Sequence, residues 1–276
     1  MMKQMLSINA SRVVNSILLL LGLIFFKPLA YFVALMMFLA GLTNYCLMEK
    51  ILQRFGFQNT CSTMVQTGMQ VYDAKKHWEN IYQTKKSNEV SWHQEKPKTS
   101  LNLISEAKLD KDAKIIDIGA GDSRLVDNLL AIGFRNITVL DISSNALNLA
   151  KRRLGDRAND VKWIVSDLRE FETKDRYDLW HDRAVLHFLT EEKDINRYVE
   201  KVRRLLKPNG YLIVSTFSKN GPKSCSGLNV KQYSEDSMKK LFNGFEHIKS
   251  FEEEHLTPWG DSQIFIYSVF KKGSKR

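Results

Sequence analysis

The sequence predicts an α/β domain, a doubly wound and mostly parallel sheet with an antiparallel hairpin at its C-terminal edge, preceded by an N-terminal α-helical transmembrane hairpin. Three observations carry this. Beyond residue 77, short apolar runs alternate with stretches of helical period. Carboxylates stand at the ends of the first three of those runs, as Asp117, Asp141 and Asp167. Ahead of them, Val13–Met48 is almost wholly apolar. The organisation read from this is a two-helix membrane segment over 1–61, a polar linker over 62–76 and an α/β domain over 77–276.

Within the apolar run, Lys27-Pro28 is the one interruption. Proline removes a backbone donor and pushes its predecessor extended, so two helices are expected, over 10–26 and 29–48, with a tight turn between them. Helices of that length span about 25–30 Å, enough for a hydrocarbon core. Arg12, Lys50 and Arg54 flank the run, and Lys27 is the only charge between the helices. The positive-inside rule then puts both ends of the hairpin, and the domain that follows, on the cytoplasmic side of the inner membrane. The stretch Leu21–Phe26 runs into Lys27-Pro28 with no small-residue site, unlike a signal peptide. A soluble buried hairpin is the remaining alternative, since Asn15 and Ser16 lie in the first helix.

The chain has 276 residues and a formal net charge of +10. With the five basic residues and one acidic residue of 1–60 set aside, 36 basic and 30 acidic side chains remain. That mild excess suits an anionic surface or nothing in particular. No basic helix, aromatic–basic strand or zinc spacing is present, so no nucleic-acid partner is implied and no metal is expected. Cys46, Cys61 and Cys225 are odd in number and form no C-x-x-C pair, which argues against a disulfide framework.

The α/β elements follow in order. Lys114–Ile118 is a strand ending in Gly119-Ala120-Gly121, and 124–132 is helical. Residues 137–141 are a strand, 145–154 a helix, and 161–165 and 177–180 strands. A helix over 195–206 stops at Lys207-Pro-Asn-Gly210, followed by a strand over 211–217 and a helix over 234–243. Strands near 246–252 and 262–270 have only a short connection and form the edge hairpin.

Ligands of such sheets bind beyond the carboxyl ends of the strands, where strand order reverses. Glycines after the first strand let backbone approach a ligand. Arg124 stands where a dinucleotide fold places its third glycine, and Asp117 would repel a pyrophosphate, so a ligand bearing an ammonium or sulfonium group fits better. Asp141, 20 residues after Gly121, sits where an acid accepts hydrogen bonds from ribose hydroxyls, because Ser143 and Ser144 can cap the next helix instead. Asp167 and Leu168 would lie near a base. His181, Asp182 and Arg183, with His187, crowd the end of the fourth strand and are the expected acceptor-side groups. An Asp182–Arg183 ion pair with a capping histidine is the structural alternative. Upstream, His77-Trp78, Tyr82 and Trp92-His-Gln-Glu95 form an aromatic segment that either packs a helix on the sheet or covers the site and excludes water.

Carried by the Asp117–Gly121 loop, Asp141 and Asp167, the chain over 77–270 resembles the class I, Rossmann-like, methyltransferases. The resemblance implies S-adenosylmethionine as methyl donor and a seven-stranded sheet. It implies a cofactor set of Asp117, Gly119, Ala120, Gly121, Asp141, Ile142, Asp167, Leu168 and Trp92, with His181, Asp182 and Arg183 as catalytic candidates. Trp92-His-Gln-Glu95 and Asp182-Arg-Ala184 are similar to the thiopurine/thiol S-methyltransferase branch, with Ala184 in place of that branch's glycine. This suggests a small soft or lipophilic acceptor. A protein lysine methyltransferase and a non-catalytic cofactor-binding module are the alternatives. The N-terminal segment resembles bacterial two-helix inner-membrane domains found beside rhodaneses, through Ala10-Ser-Arg12, Gly41-Leu-Thr-Asn-Tyr-Cys46 and Asn59-Thr-Cys61. It departs from them at Asn44 and Leu47, where glycine and proline are usual.

Overall fold

A computed structural model describes residues 27, 28, 31 and 73–274. The helices expected over 10–26 and 29–48 therefore lie outside the described residues, as do Cys46 and Cys61. Lys27, Pro28 and Tyr31 are helical and exposed, so the tight turn expected at Lys27-Pro28 is not at that dipeptide. Proline is compatible with helix wherever its missing N–H would have had no partner. Among the described residues no helix is long and apolar enough to cross a membrane.

The unit that begins at Ala74 is built on a seven-stranded sheet. Its strands are β1 (Lys114–Ile118), β2 (Asn136–Asp141), β3 (Val161–Val165), β4 (Tyr177–Arg183), β5 (Leu206–Phe217), β8 (Phe245–Leu256) and β9 (Ser262–Lys272), in the order β3-β2-β1-β4-β5-β9-β8. All neighbouring pairs among β1–β5 are parallel, and β9 runs antiparallel to both β5 and β8. The late hairpin thus takes the edge as expected, with β9 inside and β8 outermost. A short pair, β6 (Ser224–Cys225) and β7 (Leu228–Asn229), stands apart from the main sheet.

Strand alternation divides the core into two layers. Ile115, Val139, Leu179 and Ile213 pack on one face with Leu103 and Ile104 of α2 (Lys98–Glu106), Leu125 and Leu129 of α3 (Leu125–Ala131) and Leu147 of α4 (Ser144–Leu154). Ile116, Ile118, Trp180, Leu212 and Val214 pack on the other with Tyr198 and Val202 of α5 (Glu192–Leu205) and Met238 of α6 (Glu235–Leu241). Burial on both faces is why β1, β4 and β5 read as nearly continuous apolar runs.

The helix α1 (Ala74–Thr84) begins inside the stretch expected to be linker, with Trp78, Ile81 and Tyr82 on one side at helical spacing. α2 had no counterpart in the sequence reading. It starts directly after Pro97 and buries Ser100, Leu103 and Ile104. β5 begins at Leu206, so Lys207-Pro-Asn-Gly210 interrupts a strand and does not precede one. Asn209 takes a positive φ of 63°, the register to β4 shifts there, and Lys207 pairs with Asp178 at 2.7 Å.

α1 is tied to the sheet through Glu79. Its carboxylate accepts from Ser144 N (2.8 Å), Asn145 N (3.0 Å), Ser143 Oγ (2.8 Å) and Ser144 Oγ (2.7 Å), all at the N-terminus of α4. Burial by itself would raise the Glu79 pKa, but these donors together bring it down to about 2. A depressed carboxyl contributes stability that is complete above its ordinary pKa and is lost as pH falls through the folded value. Replacing Glu79 with alanine is expected to cost about 1–2 kcal/mol at neutral pH, the usual size of a lost helix cap. In urea denaturation the gap between wild type and variant should persist at pH 6–7 and narrow below pH 4.5, towards pH 2.

Candidate active site

The chain leaves β1 through two left-handed glycines, Gly119 (φ 58°) and Gly121 (φ 59°). A Cβ at Gly119 would lie 2.0 Å from Val185 Cγ2, and one at Gly121 would lie 2.2 Å from the Tyr82 hydroxyl. Both positions therefore need glycine for conformation and for space. β1 and β4 are neighbours whose connections wind to opposite sides, so this loop sits at the switch point of the sheet.

Asp141, at the end of β2, turns back beneath the loop. It accepts from Gly121 N at 2.8 Å and from Ser143 N at 2.7 Å. Burial is the largest influence on it and the two N–H groups offset only part, so its pKa is pushed up to about 6, with the charges of Asp117 and Glu79 adding to the rise. Ser143 caps α4, accepting from Ala146 N, as the sequence led one to expect.

Asp117 and His181 face each other across the β1–β4 register. His181 Nδ1 donates to Asp117 Oδ1 at 2.6 Å, and Nε2 faces the Ser100 hydroxyl of α2 at 2.9 Å. With Nδ1 holding the proton, Nε2 accepts from Ser100. Asp117, His181 and Ser100 all line one pocket with Gly119, Ala120 and Arg183.

Asp182 does not reach that pocket. Successive residues of a strand point to opposite faces, so His181 and Arg183 share the pocket face while Asp182 enters the other layer. There it accepts from Tyr198 Oη (2.7 Å), Val185 N (2.9 Å) and Leu186 N (3.2 Å). Burial lifts its pKa to about 6 against these bonds. Of the three catalytic candidates, Asp182 is therefore corrected to a core residue, and the alternative of an Asp182–Arg183 ion pair is not formed. Arg183 instead donates from Nη1 to Trp92 O at 3.0 Å and lies over the Phe265 ring.

Asp167 follows β3, where it was expected, but its carboxylate is clasped by Arg169 through Nε and Nη2, at 2.6 Å for the shortest contact. Burial opposes ionisation there and Arg169 outweighs it, leaving the pKa low. Leu168 is buried beside Ile118 and Leu140, and Ile142 is half-buried between Asp141 and Ser143.

Four aromatic rings roof the site. Trp78 meets Trp92 (5.7 Å) and Phe188 (5.1 Å) edge to face, and Tyr82 meets Trp92 at 6.2 Å. Burial, followed by the charges of Asp141 and Asp122, holds the Tyr82 hydroxyl protonated well above its ordinary range. His187, grouped from sequence with the acceptor-side residues, does not line the pocket. It is fully buried, its Nδ1 accepts from Phe217 N at 3.1 Å, and burial followed by the Arg183 charge lowers its pKa to about 3. His187 is thus a neutral imidazole with its proton on Nε2. Ala184 adopts φ 76°, in the position where the thiol-methyltransferase branch carries glycine, and its N–H donates to Ser215 O at 2.8 Å. Glu95 pairs with Arg124 at 2.8 Å across the pocket mouth.

Residues 116–212 match a family described as a methyltransferase domain. The chain is 31% identical over 105 residues to the N-terminal Xaa-Pro-Lys N-methyltransferase 1-A of Xenopus laevis, covering 37% of this chain and 46% of that protein. It is 27% identical over 101 residues to nodulation protein S of Rhizobium tropici, covering 37% and 42%. The chain thus spans less than half the length of these relatives. The fold is similar to that of N-methyltransferase NodS from Bradyrhizobium japonicum in complex with S-adenosyl-L-homocysteine, with TM-score 0.56 at 16% identity over 71% of this chain and 98% of that one. It is also similar to a structure described for conversion of a disulfide bond into a thioacetal group during echinomycin biosynthesis, with TM-score 0.60 at 15% identity over 73% and 93%. The family match covers about a third of the chain, and the two solved structures share its fold.

Because Asp182 serves the core, Asp182→Ala should strand the Val185 and Leu186 N–H groups and the Tyr198 hydroxyl. The expected cost is about 3 kcal/mol in denaturant unfolding, at the upper end for stranded buried polar groups. A fully stable Asp182→Ala protein would return Asp182 to the list of reacting groups.

Proposed function

We propose that the protein transfers a methyl group from S-adenosylmethionine to a small acceptor held under the Trp78–Tyr82–Trp92 roof. The observation that supports it most is the bare, left-handed Gly119–Gly121 loop at the switch point with the Asp141 carboxylate directly behind it. That arrangement fits a nucleoside ligand: Asp141 has lone pairs left for ribose hydroxyls, and the loop, with no side chains of its own at 119 and 121, can lie against a ligand once Tyr82 is displaced. Ile142 and Leu168 offer apolar surface for the base, and Asp167 stays ionised beside them. When bound, the cofactor supplies an electrophilic methyl group.

The work of the chain is then to orient and to dry the site. In-line displacement at carbon gains most from holding the nucleophile in position. The roof rings exclude water, and Tyr82, set against Gly121, has to lift for a ligand to enter, as the pocket measures only about 80 Å³. His181, fixed by Asp117 and Ser100, keeps the β4 end in register with the glycine loop. It is also the buried imidazole placed to take a proton if the acceptor must lose one.

The likeness of the Trp92–Glu95 segment to thiol methyltransferases favours a soft, thiol-like or lipophilic acceptor. A second reading, methylation of a protein amine, is favoured by relatives named as N-terminal and eEF1A lysine methyltransferases. The Arg183 guanidinium beside the roof weighs against a cationic amine at that place. We further propose that residues 1–61 hold the domain at the cytoplasmic face of the inner membrane, a reading supported by the apolar run and its flanking charges.

Two outcomes test these readings. Calorimetric affinity for S-adenosylhomocysteine should strengthen as pH rises through about 6, because only the ionised Asp141 accepts two hydroxyl protons. Asp141→Asn should weaken binding about 10- to 100-fold and flatten that profile, the range for a hydrogen bond to a charged group. Equal affinity in both proteins would overturn the cofactor site. For the tether, full-length protein should sediment with membranes, resist high salt and be released by detergent, and recovery in the soluble fraction would refute it.

A further inference from the structure

Three arginines border the pocket, and two of them are neutralised. Arg124 pairs with Glu95 at 2.8 Å, and Arg153 pairs with Asp127 at 2.7 Å. Arg183 has no carboxylate partner among the described residues. Only its Nη1 is engaged, with the Trp92 carbonyl. Nε and Nη2 are buried and have no hydrogen-bond partner. These two nitrogens form the edge of the guanidinium whose N–H bonds run parallel, the edge that takes both oxygens of one carboxylate. A desolvated charge with two idle donors is costly unless a ligand completes it.

The surroundings say which ligand. Arg183 lies two residues beyond His181 on β4 and pairs with Ser215 of β5. Its guanidinium is 5.3 Å from the Phe265 ring of β9. Burial first, and after it the charge of Arg183, holds His187 and His255 of β8 towards neutrality, and the same charge reaches Cys225 of β6. His187, whose ring also borders Phe265, keeps a buried Nε2–H with no partner. These groups come from the end of β4 and the turn after it, from β8 and β9, and from the separate β6. The glycine loop and Asp141, which cradle the nucleoside end of the cofactor, belong to the β1–β2 half.

We infer that the methyl acceptor is an anion, a small apolar molecule with a carboxylate held by Nε and Nη2 of Arg183. This rests on the methyltransferase reading and adds the substrate class to it. The aromatic roof takes the apolar body, and the fork fixes its orientation below the methyl group. A lysine or N-terminal amine acceptor would bring a like charge to the same place.

The test uses the full chain with saturating S-adenosylhomocysteine and the probe pair phenylacetate and phenylacetamide, read by calorimetry. The acid should bind at least about tenfold more tightly than the amide. R183Q should abolish that preference while leaving S-adenosylhomocysteine affinity within about twofold, and R183K, which keeps charge but not the fork, should restore only part of it. Equal affinity of acid and amide for the wild-type chain would overturn the proposal. So would weakened binding of S-adenosylhomocysteine to R183Q with unchanged binding of methylthioadenosine, which lacks the carboxylate, since that assigns the fork to the cofactor. Failure of the wild-type chain to bind S-adenosylhomocysteine would count against the methyltransferase reading, and the acid–amide comparison without cofactor would still decide the role of Arg183.

Discussion

A carboxylate at the end of β1 and an imidazole at the end of β4, 2.6 Å apart, hold together the two halves of the sheet where their windings diverge. Asp117 and His181 are both buried, so each would be costly alone and the pair is tolerated because each completes the other. Ser100 extends the contact to α2, which brings a third element to the same point. The glycine loop above them can then be shaped by backbone alone, with Val185 and Tyr82 closing over the two glycines. Without that pair the loop would have no fixed floor.

The carboxylates near the site are sorted by what donates to them. Glu79 receives four short bonds at a helix N-terminus and is held ionised to about pH 2. Asp141 receives two and is more deeply buried, so its pKa is pushed up to about 6. Asp182 has three donors on the opposite face and is fully used by the core. Arg183 is the converse case, a cation whose buried Nε and Nη2 have no hydrogen-bond partner. Charged groups thus differ in how far their hydrogen-bonding capacity is used, from fully used at Asp182 to half idle at Arg183.

The α1 helix links these two tasks. Glu79 anchors it to the start of α4, and one turn later Tyr82 reaches over Gly121. The anchor and the cover thus stand on the same helix, one turn apart. The aromatic segment from 87 to 97 packs on the same helix through Trp78 and Trp92, so lifting the roof means shifting a small number of ring contacts and not unfolding the domain.

Much of this was legible in the sequence, because strands buried on both faces and helices of regular period leave strong one-dimensional patterns. β1 to β5, the late antiparallel hairpin and the positions of Asp117, Gly119, Gly121 and Asp141 all follow from local pattern. The Lys207–Gly210 stretch misled because turn residues mark a bulge inside a strand as readily as a boundary. α1 reached into the expected linker and α2 went unread because their apolar faces are short. By itself the sequence determined the α/β class of the domain, the glycine loop and the carboxylate at the end of β2, since each depends on spacing along the chain. Only tertiary structure decided which of His181, Asp182 and Arg183 faces the pocket, that Asp167 is clasped by Arg169, and that Arg183 alone among the pocket arginines has no acid. Those facts depend on what strands β5, β8 and β9 bring across the sheet, and residues far apart in sequence meet only when the sheet has formed.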